Sequence, residues 1–224
     1  RHSYAELAML RSLYTGGFGA DIVAYTRAGE PDSLAPRFKL RAKVLRENLP
    51  RLFDLLAEIM TESDFSGAKR VRELIDEEKT GMELSLQRAA NQVVASRIAA
   101  DLMPSGCYAE VGGLPFHDFL RTFKDNFEAR HAEMQAAFRR ILPQIFNAND
   151  LMVSVTTPAA DYDEVAAQLA AFRQKLSSET FPTAPYTWEI AAKNAGLMTQ
   201  SRVQYVAKGA NFIKLGYEYT GVLR

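Results

Sequence analysis

From Arg37 to Val44 the chain alternates without a slip, setting Arg37, Lys39, Arg41 and Lys43 against Phe38, Leu40, Ala42 and Val44. A period of two predicts a strand whose apolar face is covered and whose cationic face is wet. Phe18, Ala20, Ile22 and Ala24 repeat the same period before a turn marked by Pro31, Asp32 and Pro36, and Leu151, Val153 and Val155 repeat it again. Strands are therefore expected over 18–27, 37–45 and 149–156, sharing one sheet in which Leu40 and Val44 are buried. Helical spacing fills the rest. Ser3, with Glu6 three residues on, has the form of a capping box, and Leu7, Leu10 and Tyr14 carry that helix to Gly16-Gly17. Asn48 caps a helix with Pro50 in its first turn and Leu52, Phe53, Leu56, Ile59 and Met60 on one face. Ser66 caps a long helix that continues, with Gly81 tolerated, until Pro104 forbids it. A helical region over 115–146 is kinked or ended by Pro143, and Val165, Leu169, Phe172 and Leu176 form another helix. The fold class is α/β of the α+β kind: a mainly antiparallel sheet with helices packed on one face.

From Ser177 to Pro185 the composition changes to two Pro, two Ser and two Thr within nine residues, and Val203 to Ala207 reads as the strand of something new. Residues 1–185 are thus expected to be one module, and 186–224 a linker with the first part of another. The chain starts at Arg1 without Met, and is read as a piece of a longer protein.

Charge narrows the function. Twenty-seven Lys and Arg balance twenty-seven Asp and Glu, which removes the global electrostatic case for nucleic acid or an anionic membrane. The basic strand is a small cationic feature without interleaved exposed aromatics, and a solvated sheet face accounts for it. One cysteine, Cys107, excludes an internal disulfide and a thiolate metal cage and favours a reducing compartment, either the cytoplasm or an organelle matrix. Neither a membrane-spanning apolar run nor a secretory leader is present in the sequence.

Candidate chemistry is sparse. The three histidines, His2, His117 and His131, have no partner His at the spacing of one helical turn, so the paired ligands of a zinc hydrolase are missing. His131-Ala132-Glu133 begins like a zinc-deaminase signature that also requires two cysteines. Gly16-Gly17-Phe18-Gly19 follows a helix rather than preceding one, which suits a helix end and not a phosphate loop. Ser105 lacks the strained turn of a nucleophile, Cys107 has no His near it in sequence, and Glu77 and Glu78 lie close to Arg72 and Lys79 on a helix.

The order of segments resembles the insulinase-family zinc metallopeptidases of the presequence-protease and falcilysin branch. The matching stretches are Ser3-Tyr4-Ala5-Glu6-Leu7 leading to Thr15-Gly16-Gly17-Phe18, Lys43 to Leu49 leading to Leu52 to Ile59, Asp64-Phe65, Asn149 to Thr156, and Tyr205 to Phe212. The resemblance is to the third of four related modules, which opens the non-catalytic half and has the processing-peptidase type of fold; residues from Gly196 onward resemble the start of the fourth. It implies a chamber-forming part of an intracellular zinc metalloendopeptidase that degrades peptides. The partners implied are the catalytic N-terminal half of the same polypeptide and a peptide substrate, with no nucleic acid and no membrane. Zinc, held in such proteins by an inverted His-x-x-Glu-His motif of the first module, would be a cofactor of the parent and is not bound by this chain, which is expected to be inactive alone. No catalytic, substrate-binding or metal residue is carried over to this sequence. The alternative is a structural or docking protein that uses the same fold without peptidase activity.

Overall fold

The computed structural model describes residues 1–188, 190, 194–198 and 203–218. Ser3 and Glu6 form the expected capping box: the Ser3 hydroxyl accepts from the Glu6 amide at 3.3 Å, and the Glu6 carboxylate accepts from the Ser3 amide at 2.7 Å. Helix α1 then runs over Tyr4–Tyr14. Strands β1, Gly17–Arg27, and β2, Glu30–Lys43, form an antiparallel two-stranded sheet. Gly29 takes the turn between them at φ 80°, in the left-handed region that favours glycine.

Helix α2, Leu49–Thr61, has Pro50 in its first turn as expected, but the Asn48 side chain makes no capping bond. Asn48 instead closes a 3-10 turn over Arg46–Asn48, and its amide donates to the Leu45 carbonyl. Ser66 likewise does not cap the next helix; its hydroxyl donates to Asp64 at 2.6 Å, and its amide does so at 2.9 Å. That helix, α3, covers Ala68–Arg88 with Gly81 inside it, and α4 covers Ala90–Ala100. The sequence reads as one continuous helix here, and the structure divides it. The break lies at Ala89, which leaves helical angles while its amide still donates to Ser85 and its carbonyl accepts from Gln92 and Val93. Apolar spacing is the same on both sides of such a kink, so periodicity does not reveal it.

Helix α5, Pro104–Val111, starts on the proline that the sequence marks as a stop. The region from 115 to 146 divides into α6, Leu114–Asp125, and α7, Phe127–Ile145, with Pro143 inside α7 two residues before its end. Helix α8 is Tyr162–Arg173.

The third strand is a correction. Residues 149–156 carry no ladder; the isolated parallel bridge Asn147↔Ser177 precedes them. Asn147, only 3% exposed, donates its side-chain amide to Glu179 at 2.9 Å, the Ala148 amide donates to Ser177 at 2.7 Å, and the Asn149 side chain donates to Ser178 at 3.0 Å. The Ala148 amide just ahead of the segment is thus satisfied by the 177–179 loop, and the Asn149 amide by the Asn147 side chain at 2.8 Å, rather than by a neighbouring strand. The described residues 203–207 are not in a strand either, and Val206 is 87% exposed.

The chain forms two compact units. The first comprises Arg1–Ile22, Phe38–Ala68 and Ala129–Thr183, and the second Val23–Arg37, Lys69–Glu128 and Ala184–Arg224. In the first, Leu52, Leu56 and Ala57 of α2 pack with Ala148, Phe172 and Leu176, and Phe18, Leu40, Val44 and Leu151 close around them. Each large side chain so buried stabilises by about 1.5–3 kcal/mol. Leu40 and Val44 are half-buried rather than fully buried. In the second unit Phe123 and Phe127 meet edge to face at 5.9 Å, and the Arg72 guanidinium lies 4.3 Å from the centre of the Phe127 ring. No helix among the described residues is long and apolar enough to cross a membrane.

Candidate functional site

The basic strand is built as its alternation predicts. Because Leu40 and Val44 turn toward the core of the first unit, Lys39, Arg41 and Lys43 point away from it. Arg41 and Lys43 are exposed, and Lys39 is half-buried. Arg41 donates to Asp21 of β1 at 3.1 Å, so one acid offsets part of this charge. Arg37, also exposed, turns back to the Pro36 carbonyl at 2.9 Å.

Each histidine has its own partner. His2 meets Glu58, His117 meets Glu83 at 3.3 Å, and His131 Nε2 lies 3.0 Å from the Phe65 carbonyl oxygen. Among the described residues no three His, Cys, Asp or Glu converge as a metal site would require. The described residues thus bring together no set of three donors of the kind that holds zinc. Hydrogen bonds from Lys79 first, and then His117, hold the Glu83 carboxyl below the usual carboxylate range. Cys107 Sγ donates to the Ala100 carbonyl at 2.9 Å, a local tie between α4 and α5.

Within the second unit α3 and α4 line a cavity of about 1040 Å³, with Leu86, Val93, Val94 and Ile98 on one wall and residues 203–207 on another. Its charged rim is self-paired: Arg97 donates to Asp101 and to Glu110, both at 2.8 Å, and Glu83 is held by His117 and Lys79. Such a wall suits uncharged apolar groups better than ions. The spacing of Arg97 and Asp101 by one helical turn is visible in the sequence, whereas Glu110 and residues 203–207 come to it only through folding.

Comparison with known proteins decides the family. The family described as peptidase-associated, for subfamily C of peptidase family M-16, matches residues 1–123, more than half of the 224. The chain belongs to that family. Over 223 residues this family member is 24% identical to Protein HypA of Clostridium perfringens (strain 13 / Type A), covering 99% of the chain and 23% of that protein. Over 222 residues it is 23% identical to Presequence protease 1, chloroplastic/mitochondrial, of Arabidopsis thaliana, covering 98% of the chain and 20% of that protein. The chain therefore spans a fifth to a quarter of the length of the curated relatives that it matches. The resemblance to insulinase-family peptidases drawn from the segment order is borne out.

Proposed function

We propose that this chain is a non-catalytic part of a longer zinc metalloendopeptidase that degrades peptides, and that it forms part of the wall of the chamber in which they are cleaved. The observation that carries this reading is the end-to-end similarity, 98% of the chain, to a protein named as a presequence protease. In this reading residues 1–185 are the third module and 186–224 a linker with the beginning of the fourth. The partner is the catalytic N-terminal half of the same polypeptide, which holds the zinc, and the setting is the cytoplasm or, in a eukaryote, an organelle matrix. This chain's own residues supply packing and surface rather than chemistry, which accords with histidines that each serve a separate structural bond.

The test is to read the coding sequence upstream of Arg1 and to assay the full polypeptide on a fluorogenic peptide. An inverted His-x-x-Glu-His motif together with cleavage that a chelator abolishes is the expected result. Absence of the motif, or of metal-dependent cleavage, overturns the reading in favour of a docking protein with the same fold.

A further inference from the structure

Glu58 lies on α2 with 2% of its surface exposed, beside the buried Leu55 and Ala57. A carboxylate in such a position is costly unless its oxygens are filled. Three groups fill them, and all come from two consecutive residues. The His2 backbone amide donates to Oε1 at 2.6 Å, His2 Nδ1 lies 3.0 and 2.9 Å from the two oxygens, and Arg1 Nε donates to Oε2 at 3.1 Å. Arg1 and His2 stand immediately ahead of Ser3, the cap of α1, and α1 itself contributes no buried residue. Leu7 and Leu10 of α1 are half-buried and the Arg51 guanidinium of α2 lies 5.9 Å from the Tyr14 ring at the far end, while the clip on Glu58 is a polar tie of the start of α1 to α2. Because one of the donors is a main-chain amide, the clip holds the course of the polypeptide and not merely a side chain.

We infer that Glu58 is the joint through which the polypeptide leading into α1 is fastened to α2, so that it sets the direction from which a preceding domain is attached. The existence of that domain rests on the proposed function; the clip does not. Glu58 is on this account a positioning residue, remote from any chemistry.

Hydrogen exchange on the full polypeptide as encoded tests the joint. Glu58→Gln should speed amide exchange of peptides from residues 1–14 at least tenfold while those from α3 to α7 keep their rates. Arg1→Ala combined with His2→Ala removes both side-chain partners and keeps the main-chain amide of residue 2, leaves every buried residue in place, and should produce the same kind of local loss. Adding Glu58→Gln to that pair should then change little more. Trypsin should also release the fragment beginning at His2 at least ten times faster from the Glu58→Gln protein than from the wild type. Unchanged exchange in residues 1–14, effects that simply add, or equal release of that fragment overturns the joint. A protein that shows these effects yet lacks metal-dependent peptidase activity would sink the proposed function while leaving the joint standing.

Discussion

Glu58 also makes a prediction in pH. Burial works against its charged form, but hydrogen bonds from the His2 side chain, the His2 amide and Arg1 outweigh that cost and hold the carboxyl at about 2 instead of near 4.5. A depressed carboxyl stabilises the fold fully above its unfolded pKa, and the contribution is lost as pH falls through the folded value. The window thus opens below about pH 4.5 and closes near 2. Arg1 and His2 are exposed, so solvent screening reduces the gain to about 1–2 kcal/mol. Urea unfolding should show Glu58→Gln less stable than wild type by that amount at pH 6, the difference shrinking by about half by pH 3. Asp54, Glu62 and Glu6 also lie near, but they are present in both proteins and cancel in the difference. A difference that stays constant with pH would show that packing, not charge, accounts for Glu58.

Between elements, α5 comes close against α4 at Gly106. A Cβ built on Gly106 would lie 2.1 Å from the Ala99 carbonyl oxygen, a backbone atom that cannot swing aside. Gly106→Ala should therefore separate the two helices and destabilise the protein by about 1–3 kcal/mol, the usual cost of overpacking. Gly81, in the middle of α3, has nothing within 4 Å of its Cβ position, so Gly81→Ala should stabilise by about 1 kcal/mol through helix propensity. Thermal unfolding of the two variants tests the pair. Equal and small effects at both positions would show that α4 and α5 shift apart freely.

For the molecule as a whole, separate histidines lead to the expectation that the chain neither retains zinc nor cleaves peptides. Dialysis against zinc followed by metal analysis, together with a fluorogenic peptide assay, checks both. Stoichiometric zinc held against a mild chelator, with cleavage that the chelator abolishes, would place the chain in the catalytic half instead. The outward side of β2 carries a second expectation. If it faces the peptide chamber, Arg41 and Lys43 attract acidic peptides, and a neutral structural surface does not. Charge reversal at both positions in the full polypeptide should lower kcat/KM for acidic peptides several-fold more than for neutral ones at low salt. Equal loss on both substrates rejects the idea.

The capping box of α1, the alternation of β2, the apolar face of α2 and the stop at Pro104 are all legible in the chain because each is encoded within one turn or one pleat, whereas α5, over Pro104–Val111, is not. Alternation names a face and not a partner, and for that reason residues 149–156 have strand composition without a ladder, the 177–179 loop meeting only the Ala148 amide and the Asn147 and Asn149 side chains ahead of them. Asp54, Glu58 and Glu62 follow one another at the spacing of a helical turn, and nothing in that spacing sets the middle one apart. Only folding brings His2, 56 residues away in sequence, against the middle one, and buries it. The family, too, was legible as an order of local segments, whereas the cavity wall shared by α3, α4 and residues 203–207 joins stretches about a hundred residues apart. Local physics determines the elements and their faces; burial and pairing depend on which distant groups arrive, and the tertiary structure alone decides that.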